Sequence, residues 1–167
     1  AVVCPDGRSI ILFCKGLIEA LLLIPGTQVI VLTEAGTSLS EIKSLKAGCI
    51  EVPFFRFPNP LWDFKYCVRL YRIFCRERFD FVYNISTKPN IYGTIAAHFA
   101  GVPRIISHIV GLGSAFLPAT TIKQHAIQIS VKFLYKLASR WNEKLWFTNK
   151  NNLKYFIDCG IVRNSQV

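Results

Sequence analysis

The sequence has 167 residues, of which 51% are hydrophobic and 18% are charged, and its formal net charge is +10. This length is enough for one domain with a hydrophobic core, and no apolar run approaches the roughly 20 residues of a membrane-spanning helix. The six cysteines are scattered without a C-x-x-C pair, which argues against a zinc site or a disulfide framework and predicts reduced thiols. The positive charge predicts an anionic partner: nucleic acid, a membrane surface or a phosphorylated substrate.

Short apolar segments alternate with segments of helical periodicity along the chain. We predict strands at residues 1–4, 28–33, 49–53, 80–84, 104–109 and 144–148, and helices at residues 16–24, 38–47, 59–78, 90–100, 122–141 and 151–159. Ser38 and Glu41 are predicted to form a capping box at the start of the second helix. Because strands and helices alternate, we predict an α/β fold: a doubly wound parallel sheet flanked by helices on both faces.

In such a fold, ligands bind in loops at the carboxyl ends of the strands, here residues 5–15, 34–37, 54–58, 85–89, 110–116 and 148–149. Lys88 stands at the start of a predicted helix, where anions are favoured, and is either a phosphate ligand or a solvated turn residue. Gly111 and Gly113 allow backbone N–H groups to approach a ligand or simply form a turn. They are not a dinucleotide fingerprint, because Phe116 stands where a third glycine would be.

The long helix predicted at residues 59–78 carries a row of basic residues. Lys65, Arg69, Arg72 and Arg76 are spaced by four, three and four positions and therefore share one face. With Trp62 and other aromatic residues ahead of them, they fit an anionic membrane surface, and a solvated face above core aromatics is the alternative. A second basic row at residues 132, 136 and 140 favours the membrane. The sequence contains no nucleic-acid-binding motif, so nucleic acid is not an expected partner.

Residues 87–116, TKPNIYGTIAAHFAGVPRIISHIVGLGSAF, resemble the bacterial glycosyltransferases of the family-4 type, in the subgroup that extends lipid-linked sugars. Those proteins carry T-x-K-P-x-I-Y-G, a helix, A-G-V-x-[KR]-I-[IV] and then T-G-L-G. Three further segments are similar to family segments in the same order: FCKGLIEALL at residues 13–22, LYRIFCRERFDFVYN at 70–84 and WFTNKNNLKYFIDCGIV at 146–162. The resemblance therefore covers nearly the whole chain.

The resemblance implies the GT-B architecture, in which two Rossmann-like domains face a cleft. The amino-terminal domain receives the acceptor and the carboxyl-terminal domain binds the nucleotide-sugar. Since the chain lacks the family's E-x7-E donor motif, we expect residues 1–167 to form the single Rossmann-like amino-terminal domain, without the nucleotide-sugar domain.

The function implied by the resemblance is transfer of a sugar from a nucleotide-sugar donor to a polyprenyl-diphosphate-linked glycan, in the biosynthesis of capsule or lipopolysaccharide. Transfer with retention, no metal, no cofactor and a cytoplasmic location at the inner face of the membrane are implied as well. The isolated domain is expected to be inactive. One alternative is a non-catalytic subunit that binds membrane and acceptor and recruits a separate donor-binding partner. Another is an unrelated flavodoxin-like module for a small ligand.

The family motifs also imply roles for individual residues. Binding of the acceptor or its phosphates is expected from Lys15, Gly16, Thr87, Lys88, Asn90, Tyr92, Gly111 and Gly113. Lys15 and Gly16 match an Arg-Gly pair in the family's first loop. Relatives place a histidine where this chain has Val110. His108 lies two residues earlier on the same face of the strand and is the candidate base, with a core or edge histidine as the alternative.

Overall fold

The computed structural model describes residues 1–34, 36, 39–113, 116, 118–163 and 166–167. They contain one six-stranded sheet with β1 (Val2–Val3), β2 (Ile30–Thr33), β3 (Gly48–Glu51), β4 (Phe81–Ile85), β5 (Arg104–Ile109) and β6 (Lys144–Phe147). All neighbouring strands are parallel, in the order β3-β2-β1-β4-β5-β6. This is the strand order of the doubly wound Rossmann fold, so the predicted fold class is confirmed.

The helices are α1 (Gly7–Leu22), α2 (Leu39–Ser44), α3 (Pro60–Glu77), α4 (Thr94–Phe99), α5 (Ile122–Ser139) and α6 (Lys150–Asp158), and a π-helical segment, Pro89–Gly93, leads into α4. One core cluster lies between the sheet, α1 and α2, a second between the sheet, α3 and α4, and a third joins α5 and α6 to β5 and β6. Among the described residues, none of the helices combines the length and apolarity that a membrane crossing demands.

Polar side chains fix the starts of the long helices, as the sequence indicates. Asn59 caps α3 by accepting from the backbone N–H groups of Leu61 and Trp62, and Thr121 and Gln124 form a capping box on α5. The predicted capping box at Ser38 lies outside the described residues. Most predicted boundaries fall within a few residues of the observed ones, and β5 matches at both ends.

The first helix begins nine residues earlier than predicted. Asp6 accepts a hydrogen bond from the Ser9 backbone N–H at 2.9 Å and caps α1 directly after β1. Ile10, Cys14 and Ile18 are fully buried and recur every four residues, so one continuous apolar face packs on the sheet. The expectation of a long first loop at residues 5–15 is therefore wrong.

Two residues predicted to bind the ligand lie in this helix and not in a loop. Lys15 and Gly16 are exposed in the middle of α1, not in a loop at the carboxyl edge of the sheet. A methyl group added at Gly16 would meet no atom within 4 Å. Their expected role in a first ligand-binding loop has no structural basis, because the loop itself is helical.

Candidate functional site

The sheet order reverses between β1 and β4, and a crevice for ligands forms at such a point outside the carboxyl ends of the strands. Ser86 follows β4 here with φ of 76°, a left-handed conformation that costs a residue with a side chain roughly 1–2 kcal/mol. Arg8 is exposed in the first turn of α1, directly after β1. Neither residue belongs to the set of ligand-binding residues predicted from the sequence, although the Asp6-x-x-Ser9 pattern indicates a helix start at Arg8.

Lys88 follows Ser86 by two residues, but its ammonium group faces the protein. Nζ donates to the carbonyl oxygens of Phe55 and Phe57 at 2.6 and 2.8 Å and to Oδ1 of Asp63 at 2.5 Å. A lysine has three N–H donors, so all of them are used. Lys88 is therefore not a solvated turn residue, because contacts 25 to 33 positions distant in the chain hold it. Its role as a phosphate ligand stays a prediction, and a phosphate could reach the ammonium group only if one of these contacts were released.

Asn90 and Thr87 connect the same turn to β5 and α5. The Asn90 amide donates to the carbonyl oxygen of His108 at 3.0 Å and to the hydroxyl of Tyr135 at 3.2 Å. Tyr135 is fully buried and also bonds the Thr87 side chain, and burial is the main cause that raises the Tyr135 pKa to about 12. Asn90 is itself 1% exposed, so an acceptor could reach it only after a rearrangement.

Tyr92 and Gly93 complete the motif with two further contacts. The Tyr92 hydroxyl donates to Oδ2 of Asp63 at 3.4 Å, and burial raises the Tyr92 pKa. A methyl group at Gly93 would lie 2.3 Å from Oδ1 of Asn84, so the π-helical segment rests directly on β4. Residues 87–93 therefore contact four elements, β4, α3, β5 and α5, and hold them together. Direct acceptor contacts by Asn90 and Tyr92 have no support in this arrangement.

The two predicted loops do meet at the edge. Gly113 has φ of 74°, and a methyl group there would lie 2.9 Å from Oγ1 of Thr87. Gly111 and Gly113 are exposed, so the backbone of the glycine loop lies open at this edge, whereas the Thr87 side chain bonds the buried Tyr135. The structure therefore brings together Thr87, Gly111 and Gly113 from the predicted ligand set, beside Ser86. The pairing of β1 with β4 places the start of α1 at the same edge of the sheet.

His108 lies across the ends of three strands. Nδ1 is 2.9 Å from the Tyr83 hydroxyl, and Nε2 is 3.0 Å from Oγ1 of Thr148. Burial lowers the pKa of the imidazole, which favours the neutral ring. Because both ring nitrogens have partners in the protein, His108 would have to give one up before it could take a proton from an acceptor. Its role as a base stays a prediction.

The basic stripe, Lys65, Arg69, Arg72 and Arg76, is exposed on one face of α3 and lines a groove of about 620 Å³. Arg76 pairs with Glu77 at 2.7 Å, and Lys65 lies 5.3 Å from the ring centre of Trp62. Next to the stripe lies an aromatic patch at the start of α3, with exposed fractions of 41% to 75%: Phe55, Phe57, Leu61, Trp62 and Phe64. The predicted grouping of aromatic and basic side chains therefore exists on the surface.

The second basic row is less uniform than predicted. Lys136 on α5 and Arg140 directly after α5 are exposed, but Lys132 is partly buried with Nζ 5.3 Å from the Tyr155 ring centre. A hydrogen bond to Tyr155 is the main cause that raises the Lys132 pKa. In the part of the chain that the structure describes, no three histidine, cysteine or carboxylate side chains are grouped as metal ligands.

These features define a Rossmann-like domain with an exposed glycine loop at the carboxyl edge of its sheet and a basic and aromatic surface on α3. A family model described as "Glycosyl transferase 4-like" matches residues 12–149, and the chain belongs to this family. The resemblance in the motifs is thereby confirmed.

Two curated relatives are similar in sequence. The N,N'-diacetylbacillosaminyl-diphospho-undecaprenol alpha-1,3-N-acetylgalactosaminyltransferase of Campylobacter jejuni is 26% identical over 64% of this chain and 28% of its own length. The UDP-Gal:alpha-D-GlcNAc-diphosphoundecaprenol alpha-1,3-galactosyltransferase of Escherichia coli is 31% identical over 50% of this chain and 20% of its own length. The chain spans less than a third of either relative.

Solved structures share the fold at low sequence identity. Anabaena HepE, solved with UDP and glucose, superposes with a TM-score of 0.67 at 15% identity over 99% of this chain and 42% of that chain. Staphylococcus aureus MnaA, solved with UDP, superposes with a TM-score of 0.67 at 16% identity, over 99% of this chain and 43% of that chain. Acinetobacter baumannii MurG superposes with a TM-score of 0.57 at 17% identity, over 90% of this chain and 40% of that chain. These likenesses support the architecture alone.

Proposed function

We propose that this chain is the acceptor-side domain of a glycosyltransferase that moves a sugar from a nucleotide-sugar to a polyprenyl-diphosphate-linked glycan. The observation that carries the proposal is that both curated relatives are named for undecaprenyl-diphosphate-linked acceptors. The chain aligns with less than a third of each relative, and we propose that a donor-binding domain takes part in the transfer as well.

The edge built by Ser86, Thr87, Gly111 and Gly113 is the proposed acceptor site. The exposed backbone of Gly111 and Gly113 suits the oxygens of a sugar or a diphosphate, because glycine lets N–H groups approach a ligand closely. Arg8 supplies an exposed positive charge in the first turn of α1. We therefore assign the cationic contact with the diphosphate to Arg8 and not to Lys88, whose donors are occupied.

The basic stripe and the aromatic patch are the proposed contact with an anionic membrane. A peripheral position at the inner face of the membrane would bring the edge of the sheet to a lipid-linked acceptor of a surface polysaccharide such as capsule or lipopolysaccharide. Each basic residue near an anionic surface contributes about 1 kcal/mol, and salt screens this contribution. Aromatic side chains suit the headgroup level, because one part of the ring system is apolar and another polar.

The proposal is tested by co-sedimentation with phosphatidylcholine vesicles, with or without phosphatidylglycerol and polyprenyl-diphospho-N-acetylhexosamine. We expect K65A/R69A/R72A to weaken binding to the anionic vesicles by about two orders of magnitude, since three charges are lost at about 1 kcal/mol each. The variant K43A/K154A/R163A is the matched control, because it removes the same charge from other exposed positions.

The lipid-linked sugar should strengthen binding to both kinds of vesicle, and R8A should remove this gain while anionic vesicles are still bound. If the lipid-linked sugar has no effect on the wild-type protein, the acceptor assignment is wrong. If both triple variants lose binding equally, the attraction is a general charge effect and the stripe has no special role.

A further inference from the structure

The aromatic loop, residues 53–58, joins β3 to α3 and exposes large apolar side chains. Phe55 and Phe57 are 41% and 68% exposed, and Phe55 stacks on Trp62 with ring centres 5.9 Å apart and planes at 22°. An irregular loop with exposed aromatics gains by covering them, because apolar surface in water is unfavourable. The exposed conformation of the aromatic loop therefore requires contacts that fix its backbone.

Lys88, which lies more than 30 residues further along the chain, makes these contacts with the loop backbone. Its ammonium group binds the carbonyl oxygens on both sides of Arg56, those of Phe55 and Phe57, and is anchored by Asp63 in the first turn of α3. The Lys88 and Asp63 side chains are only 13% and 10% exposed. A buried ammonium needs a buried counter-charge, so the ion pair and the two carbonyl contacts form one unit, the Lys88 latch.

We propose that Lys88 is a positioning residue that locks the aromatic loop outward, so that Phe55, Phe57 and Trp62 enter an anionic lipid surface as a preformed unit. The proposal rests on the membrane contact proposed above and assigns Lys88 a task in it. A loop already held in its bound conformation loses little conformational freedom on binding, and this raises the affinity without any new contact. The latch also joins the loop to the turn that follows β4, at the acceptor edge.

Limited trypsin digestion tests the latch without any membrane. The bond after Arg56 lies between the two held carbonyl groups, and Arg56 itself is exposed. K88M and D63N should each speed cleavage at this bond roughly ten-fold or more, because charge-assisted hydrogen bonds that keep the loop closed are lost. Cleavage after Arg72, inside α3, should keep its rate, since it reports unfolding of the helix. Y92F is the control, because it removes a hydrogen bond to the same Asp63 and leaves the three partners of Lys88 in place.

The vesicle assay then tests the consequence. With phosphatidylglycerol vesicles, K88M should bind several-fold more weakly than the wild-type protein, and Y92F should bind equally well. If K88M cleaves like the wild-type protein after Arg56, or binds vesicles equally well, the inference is overturned. If K88M does not fold, the same two readouts on D63N decide it. Absence of wild-type binding would instead refute the membrane contact, and with it this use of the latch.

Discussion

Gly93 shows how much a single position in the motif depends on packing. Its backbone lies so close to β4 that a methyl group would be 2.3 Å from Oδ1 and 3.0 Å from Cγ of Asn84. Asn84 is fully buried and donates to Oγ1 of Thr94 at 3.2 Å, so it cannot move away freely. The glycine of the motif therefore has a steric reason that is independent of any ligand.

We predict that G93A destabilises the protein by about 1–3 kcal/mol, because overpacking a buried contact displaces its neighbours. G16A is the matched control. Gly16 lies in the middle of α1 with open space around it, so alanine should stabilise the protein by roughly 0.5–1 kcal/mol through its better helix propensity. Urea denaturation of both variants measures the difference. A G93A protein as stable as the wild type would contradict the close packing.

The second prediction for a single residue concerns His108 and the pH dependence of the free energy of unfolding. Burial lowers its pKa in the folded protein, whereas the unfolded residue titrates near 6.5. Below that pH the unfolded chain binds more protons than the folded one, so acidification favours unfolding. The contribution of His108 is therefore fully present above pH about 6.5 and is lost as the pH falls towards the folded pKa.

We expect the free energy of unfolding to fall less between pH 7.5 and 5.5 in H108Q than in the wild-type protein. Urea denaturation at both pH values measures this, and the comparison cancels the other titrating groups that the two proteins share. An equal fall in both proteins would mean that His108 titrates normally and that its contacts with Tyr83 and Thr148 do not hold the neutral ring.

At the scale of elements, the sequence predicts best what local patterns determine. The strand β5 was predicted at both ends, because its apolar run is bounded by Pro103 and by the glycine loop. The sequence pattern misplaces the start of α1 because Lys15 and Gly16 interrupt the apolar residues, so that residues 5–15 are predicted as a loop although Asp6 caps the helix. The sequence therefore contains local signals for both elements: the residues that bound β5 and the Asp6 cap that begins α1.

The motif at residues 87–93 is an element whose role no local pattern could give. Its hydrogen-bond partners Phe55, Asp63 and Tyr135 lie 25 to 45 residues away, and the sheet topology alone brings them together. A lysine before a proline at the start of a helix is compatible with a phosphate site. The observed role depends on a loop that arrives from the neighbouring crossover, so the sequence predicted where the motif lies but not what it contacts.

At the scale of the whole molecule, alternating strands and helices were enough to predict the doubly wound sheet, and the strand order locates its edge crevice. The net charge of +10 predicted an anionic partner but not its place. The structure separates two surfaces that could serve it: the edge with Arg8, Thr87, Gly111 and Gly113, and the flank with the basic stripe and the aromatic patch. We propose that a lipid-linked acceptor uses both, with its diphosphate-sugar at the edge and its surrounding membrane on the flank.

The most direct test of this account is an amide NMR titration of the isotope-labelled chain with polyprenyl-diphospho-N-acetylhexosamine in anionic nanodiscs, compared with nanodiscs without the sugar lipid. Both samples should broaden or shift the amides of the aromatic patch and the basic stripe. Only the sugar lipid should also shift the amides of Arg8, Ser86, Thr87, Gly111 and Gly113. If the sugar lipid shifts no amide at this edge, the domain binds membrane without recognising the acceptor, and the central claim is contradicted.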